Sequence, residues 1–183
     1  MSRQDRLDDQ LLEELNNFGA GEDNDFSTIA KLIKDGADPN VTNWDGWNAL
    51  HRVAFFEFDC PRELLLTIVN KINNINAVSI YEKRTALMEA ASEDNLTMVS
   101  MLKNIRSDID PNVQDRYKQT ALHLAARITS GKMIELLLSF DGIDIDLKDD
   151  DQFTPLDLAR KLGHSRCVEL LENHQSQISE FKF

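Results

Sequence analysis

The chain has 183 residues, 42% of them hydrophobic, which suits one ordinary domain or about five stacked units of roughly 35 residues. Its formal net charge of −12 argues against a protein that tracks a phosphate backbone, since such proteins gather Lys and Arg on one face. No apolar run approaches the roughly 20 residues of a membrane span. The two cysteines, Cys60 and Cys167, fall at no metal-ligand spacing and read as buried reduced thiols. The first ten residues are rich in carboxylates and unlike a signal peptide, so the expected location is cytoplasmic.

In chain order, a polar, acidic first helix is expected near Asp8 to Asn17, followed by a helix-period signal from Ile29 to Ile33 and a turn at Gly36-Ala37-Asp38-Pro39-Asn40. A heptapeptide then recurs: N-A-L-H-R-V-A from Asn48, T-A-L-M-E-A-A from Thr85, T-A-L-H-L-A-A from Thr120 and T-P-L-D-L-A-R from Thr154, at intervals of 37, 35 and 34 residues. Each copy opens a short helix capped by its first side chain. A second helix signal follows each copy, at Leu64 to Val69, Met98 to Leu102, Met133 to Leu138 and Cys167 to Leu171. Helices this short are marginal alone and must be held by stacking. Unit two is three or four residues too long around Phe55 to Arg62, where F-F-E-F-D-C-P-R places three phenylalanines in a loop. Some of these rings are expected to fold back on the core, and any exposed remnant would be an apolar patch. The end, Gln175 to Phe183, reads as a tail that is either disordered or folded back on unit five.

These motifs, with Gly36-Ala37-Asp38-Pro39-Asn40, Gly163-His164 and the Leu136-Leu137-Leu138 ending, resemble the ankyrin-repeat family over about residues 8 to 175. The resemblance implies an all-α solenoid of stacked helix-turn-helix units joined by hairpin-like finger loops. The units are approximately 8–43, 44–79, 80–114, 115–148 and 149–175, with 176–183 as the tail. Unit one lacks the Thr-Pro-Leu-His motif and reads as a terminal cap with one solvent face. Gly46, Lys83, Lys118 and Gln152 stand at the finger position where the family favours glycine, so three fingers are expected to be distorted or strained. His51 and His123 are expected to bond Thr and backbone groups between units, and His174 to lie near the last helix end, where a cation suits the dipole.

No Walker loop, G-x-S-x-G, H-E-x-x-H or G-x-G-x-x-G occurs, and the histidines are spread over different units. The expectation is a non-enzymatic chain with no catalytic or metal site and no cofactor. What varies between copies is the finger just before each motif. All the Trp and Tyr residues fall there: Trp44, Trp47, Tyr81 and Tyr117, joined by Phe153. Trp, Tyr and Arg dominate interface hot spots. The predicted partner-binding set is Trp44, Asp45, Trp47, Tyr81, Glu82, Arg84, Arg116, Tyr117, Gln119, Asp150, Asp151 and Phe153 on the fingers, with Trp47 and Phe153 the rings expected to pack on neighbours. Carried over from the family by motif position, the exposed face of the first helices adds Arg52, Phe55, Glu89, Ser92, Glu93, Leu124, Arg127, Asp157 and Arg160. Asp149 to Asp151 crowd the last finger, so the expected partner is a protein with an apolar centre and a basic flank towards the last unit. The function expected is protein binding as adaptor, scaffold or inhibitor by a chain monomeric on its own, with no nucleic acid and no membrane span. Alternatives are a regulatory subunit masking a partner enzyme's active site, and a secreted effector of an intracellular microbe acting on a host protein in the host cytosol.

Overall fold

The computed structural model describes residues 1–17, 26–56 and 60–180, residues 179 and 180 by their backbone alone. Among the described residues there are ten helices and no strands, taken in pairs along the chain. Unit one is α1 (Arg3–Asn17) and α2 (Phe26–Asp35), and unit two is α3 (Ala49–Phe55) and α4 (Arg62–Lys71). Unit three is α5 (Ala86–Ser92) and α6 (Leu96–Ile105), and unit four is α7 (Ala121–Arg127) and α8 (Gly131–Leu138). Unit five is α9 (Pro155–Leu162) and α10 (Ser165–Glu180). Helices α3, α5, α7 and α9 stack in one row, and α6, α8 and α10 form a second layer behind it. The solenoid expected from the repeat is therefore present.

Each inner helix starts where the motif starts, for a local reason. Asn48, Thr85, Thr120 and Thr154 sit at the N-caps in extended backbone, and their side chains accept from amides of the first turn. In α3, α7 and α9 the third helical residue, His51, His123 or Asp157, reaches back to the cap amide and closes the box. Ala54, Ala91 and Ala126, with no side chain beyond Cβ, are fully buried where neighbouring inner helices approach. The apolar stripes of the outer helices, such as Met133, Ile134 and Leu137, fill the space between layers.

Two sets of polar links stitch the units. The Nε2–H groups of His51 and His123 reach the backbone of the following unit, at Arg84 O (3.2 Å) and Phe153 O (3.0 Å) respectively. Behind them runs an asparagine ladder. Asn40 donates to Lys71 O (2.9 Å) and accepts from Asn73 N (2.8 Å). Asn76 does the same with Asp108 O (2.8 Å) and Asp110 N (2.9 Å), and Asn112 with Gly142 O and Asp144 N (both 2.8 Å). On unit one the matching groups, Gly36 O and Asp38 N, are met by Gln4 (2.9 Å) and Asp8 (2.7 Å) of α1. The acidic first helix thus completes the ladder with two side chains where later units use one.

Several expectations need correction. Helix α1 begins at Arg3 rather than near Asp8, because the start carries Gln4, one of the two ladder contacts. Residues 176–180 are not a loose tail: α10 continues through Glu180, and Ile178 packs on the core. His174 accordingly lies within α10 and not at its end, so no helix-end dipole acts on it. In the long loop of unit two, Phe56 and Cys60 pack partly on the core, whereas Phe58 and its neighbours, 57–59, lie outside the described residues. Of the two outcomes expected for the fingers, strain is the one found. Lys83, Lys118 and Gln152 adopt φ of 54°, 56° and 65°, the same left-handed region as Gly46 at 78°. The left-handed turn residue is kept, at a strain cost of about 1 kcal/mol per residue.

Candidate functional site: the finger ribbon

One polar side chain closes each finger at its base. Asn43 Oδ1 accepts from Asp45 N (3.0 Å) and Trp47 N (2.9 Å), and Asp115 Oδ1 accepts from Tyr117 N (2.8 Å) and Gln119 N (2.9 Å). Asp149 Oδ1 accepts from Phe153 N (2.9 Å), and Ser79 Oγ accepts from Arg84 N (3.1 Å) across a finger one residue longer. Adjacent fingers are tied by backbone bonds: Ile80 N to Asp45 O (2.8 Å), Arg116 N to Glu82 O (2.9 Å) and Asp150 N to Tyr117 O (3.0 Å). The fingers therefore form one continuous ribbon, and side chains on successive tips are neighbours.

The aromatic residues divide into two groups. Trp44, Tyr81 and Tyr117 stand 75%, 55% and 47% exposed at the tips, and the rings of Trp44 and Tyr81 lie 6.0 Å apart. Ile80, which the sequence reading passed over, is 59% exposed beside them; an apolar residue next to Tyr81 in a finger was the available signal. Trp47 and Phe153 are half-buried, and the contacts of their rings are to the inner helix of their own unit rather than to the adjacent fingers. Trp47 meets the edge of Phe55 (5.3 Å) and stacks on His51 (6.2 Å), while Lys161 Nζ lies 4.2 Å from the Phe153 ring centre.

The charged residues divide similarly. Arg52 is half-buried between the Trp47 and Phe56 rings (5.4 and 5.6 Å), and its guanidinium donates to Leu15 O and Asn16 O. It caps the C-terminal end of α1, where a cation is favoured, and is not free on the surface as its motif position implied. Burial lowers its pKa, opposed by nearby Asp45. Glu89, expected on the exposed helix face, is 2% exposed, and Leu124 at the matching position of α7 is also buried. Both are removed from the accessible surface because neighbouring inner helices close over them. Desolvation raises the Glu89 pKa to about 7 against the pull of Arg84, with Glu93 and Glu82 adding to the rise. Arg84 Nη1 lies 3.7 Å from Glu89, and Arg84 Nε lies 3.5 Å from buried Asp115. Asp157 is spent on the Thr154 cap, Ser92 hydrogen-bonds to Glu89 O and Glu93, and Arg160 pairs with Glu172 (2.7 Å).

Further along the ribbon, Arg116 pairs with Glu82 (3.5 Å) over the Tyr117 ring (5.1 Å), and Lys118 pairs with Asp150 (3.3 Å). Gln119, Arg127, Tyr117 and Asp149 to Asp151 line one shallow groove, in which Arg127 donates to Gln119 (3.2 Å). Among the described residues no group of three or more His, Cys, Asp or Glu could hold a metal ion, and no helix is long and apolar enough to cross a membrane.

A family model for ankyrin repeats in sets of three matches residues 18–115 and again 87–181. The chain belongs to the ankyrin-repeat family. An ankyrin repeat protein of Rickettsia bellii is 34% identical over 88 residues, 48% of this chain and 89% of the relative. Alpha-latrotoxin-Lh1a of Latrodectus hasselti is 40% identical over 72 residues, and alpha-latrotoxin-Lg1a of Latrodectus geometricus 32% over 149. These matches take in 39% and 81% of this chain, which spans only 5% and 10% of the respective toxins. As an ankyrin-repeat array, the chain is a protein–protein interaction module.

Proposed function

We propose that this ankyrin-repeat chain is a non-enzymatic module that captures one protein partner on the tips of its second to fourth fingers. The observation that carries the reading is the row of exposed Trp44, Ile80, Tyr81 and Tyr117 on loops tied together by backbone hydrogen bonds. Large rigid rings held in place bury much area at little entropy cost. Trp47, Phe55 and Arg52 are half-buried against one another and support that row from beneath. The flank next to Tyr117 carries exposed Asp150 and Asp151, which suits a partner with basic residues on that side. Adaptor, scaffold and inhibitor all use such a surface.

The test compares two variants in an affinity capture with quantified partner recovery. Replacing Trp44 and Tyr81 together with alanine is expected to reduce capture at least tenfold while the melting temperature stays within about 1 °C, because neither ring is in the core. Trp47→Ala is expected instead to destabilise by about 1–3 kcal/mol through loss of its ring and cation contacts. Undiminished capture by the double variant would remove the fingertips from the interface.

A further inference from the structure

Three junctions join the inner helices of units two to five. At two of them His51 and His123 donate to the next unit's backbone. At the junction between units three and four the matching residue is Met88, whose side chain has no N–H to offer the next unit. Arg84 supplies the link there. Its Nε lies 3.5 Å from Asp115 at the base of finger four, and its Nη1 lies 3.7 Å from Glu89 on α5. Both distances exceed those of a good charge-assisted hydrogen bond, so the guanidinium is shared between two buried carboxyls and seated on neither.

The surrounding charges leave Arg84 to settle this alone. Glu82, on the same finger, and Glu93, at the C-cap of α5, oppose ionisation of Glu89. From α3, Arg52 at the matching position is spent on the end of α1. His51 of the same helix bonds Arg84 O (3.2 Å), and burial holds its pKa at about 4, below neutrality. Helix α6 brings only Lys103, held by Ser139 (2.6 Å). From α7 the neighbours are Leu124, His123, whose ring bonds Thr120 and Phe153, and Arg127, bonded to Gln119. The geometry points to Arg84 as a two-position lever, drawn towards Glu89 when that carboxyl is ionised and to Asp115 alone when it carries a proton, with finger 79–84 and Tyr81 shifting accordingly. Burial puts both states of Glu89 within reach near neutrality. Tyr81 contacts Trp44 across the fingertips, so the shift alters the proposed docking surface. That last consequence rests on the fingertips being the recognition surface; the lever itself does not.

The experiment is an NMR titration of the full, isotope-labelled chain from pH 5.5 to 8.5, following the Glu89 carboxyl carbon, Arg84 Nε and the Tyr81 ring. Glu89 is expected to titrate near pH 7, with the Arg84 and Tyr81 signals moving at the same midpoint. Glu89→Gln should abolish that step in both signals. Asp115→Asn, which keeps the oxygen that closes finger four, should lower the Glu89 midpoint by about one pH unit, because Arg84 then serves Glu89 alone. Titration of Glu89 below pH 5.5, a Glu89 step that Arg84 and Tyr81 do not follow, or an unmoved midpoint in Asp115→Asn would each overturn the lever. Failure of the Trp44/Tyr81 capture test would leave these signals readable, so the two ideas fall separately.

Discussion

Lys83 and Gly46 occupy the same turn of successive fingers, yet the structure asks different things of them. At Gly46 an added Cβ would lie 2.9 Å from Ile80 Cγ1 and 3.1 Å from Ile80 N, at φ +78°. Gly46→Ala is therefore expected to cost about 1–3 kcal/mol, read as a lower urea midpoint. Lys83 has the strained φ of 54°, and Lys83→Gly should stabilise by about 0.5–1 kcal/mol, near 2 °C in melting temperature. Two buried titratable residues act in opposite senses on acid stability. Glu89 has a folded pKa raised from 4.5 to about 7, so the folded chain holds the extra proton in that range and stability falls as pH rises through it. Burial lowers His51 from 6.5 to about 4, so there the unfolded chain holds the extra proton and stability is lost as pH falls from 6.5. The two nearly cancel between about pH 4.5 and 6.5. Glu89→Gln is expected to gain about 1–3 kcal/mol at pH 8 and to uncover the acid-side loss from His51, both measurable by urea unfolding across that range.

At the level of elements, the inner helices were legible because their caps and small residues recur: Thr120 and Ala126 mean the same thing wherever they stand. The outer boundaries were less so. Helix α10 runs through Glu180 because Ile178 finds the core, a tertiary contact that the polar sequence around it does not announce. The burial of Glu89 was hidden for a similar reason. Its position faces solvent in an isolated helix, and only stacking of α3 and α7 on either side closes it off. The asparagine ladder was visible in the sequence only as turn residues, since spacing alone does not show that a turn's amide bonds to the next unit. Removing one rung, Asn76→Ala, deletes two inter-unit bonds and should cost about 1–2 kcal/mol. Amide hydrogen exchange is expected to speed up most at Asp110, whose N–H loses its acceptor.

For the molecule as a whole, the exposed tips of fingers two to four were legible because every Trp and Tyr falls in the fingers. Which rings remain free depended on packing that no count supplies. The array is also directional. Each unit of the ladder offers an amide to its successor, but the residue that follows Asn112 in the series is Asp146, and the residue that follows His51 and His123 at the third helical position is Asp157. Both are acceptors only, so unit five offers a side-chain N–H at neither position, whereas unit three, with Asn76 and Met88, lacks only the second. The repeats therefore behave like coupling stock with a head and a tail, and unit five is a head-to-tail terminator. A copy of unit two spliced after it should melt as a separate, earlier transition. With Asp146→Asn and Asp157→His installed, the extended array is expected to unfold in one step, so two carboxyl groups decide whether this polymer can be lengthened.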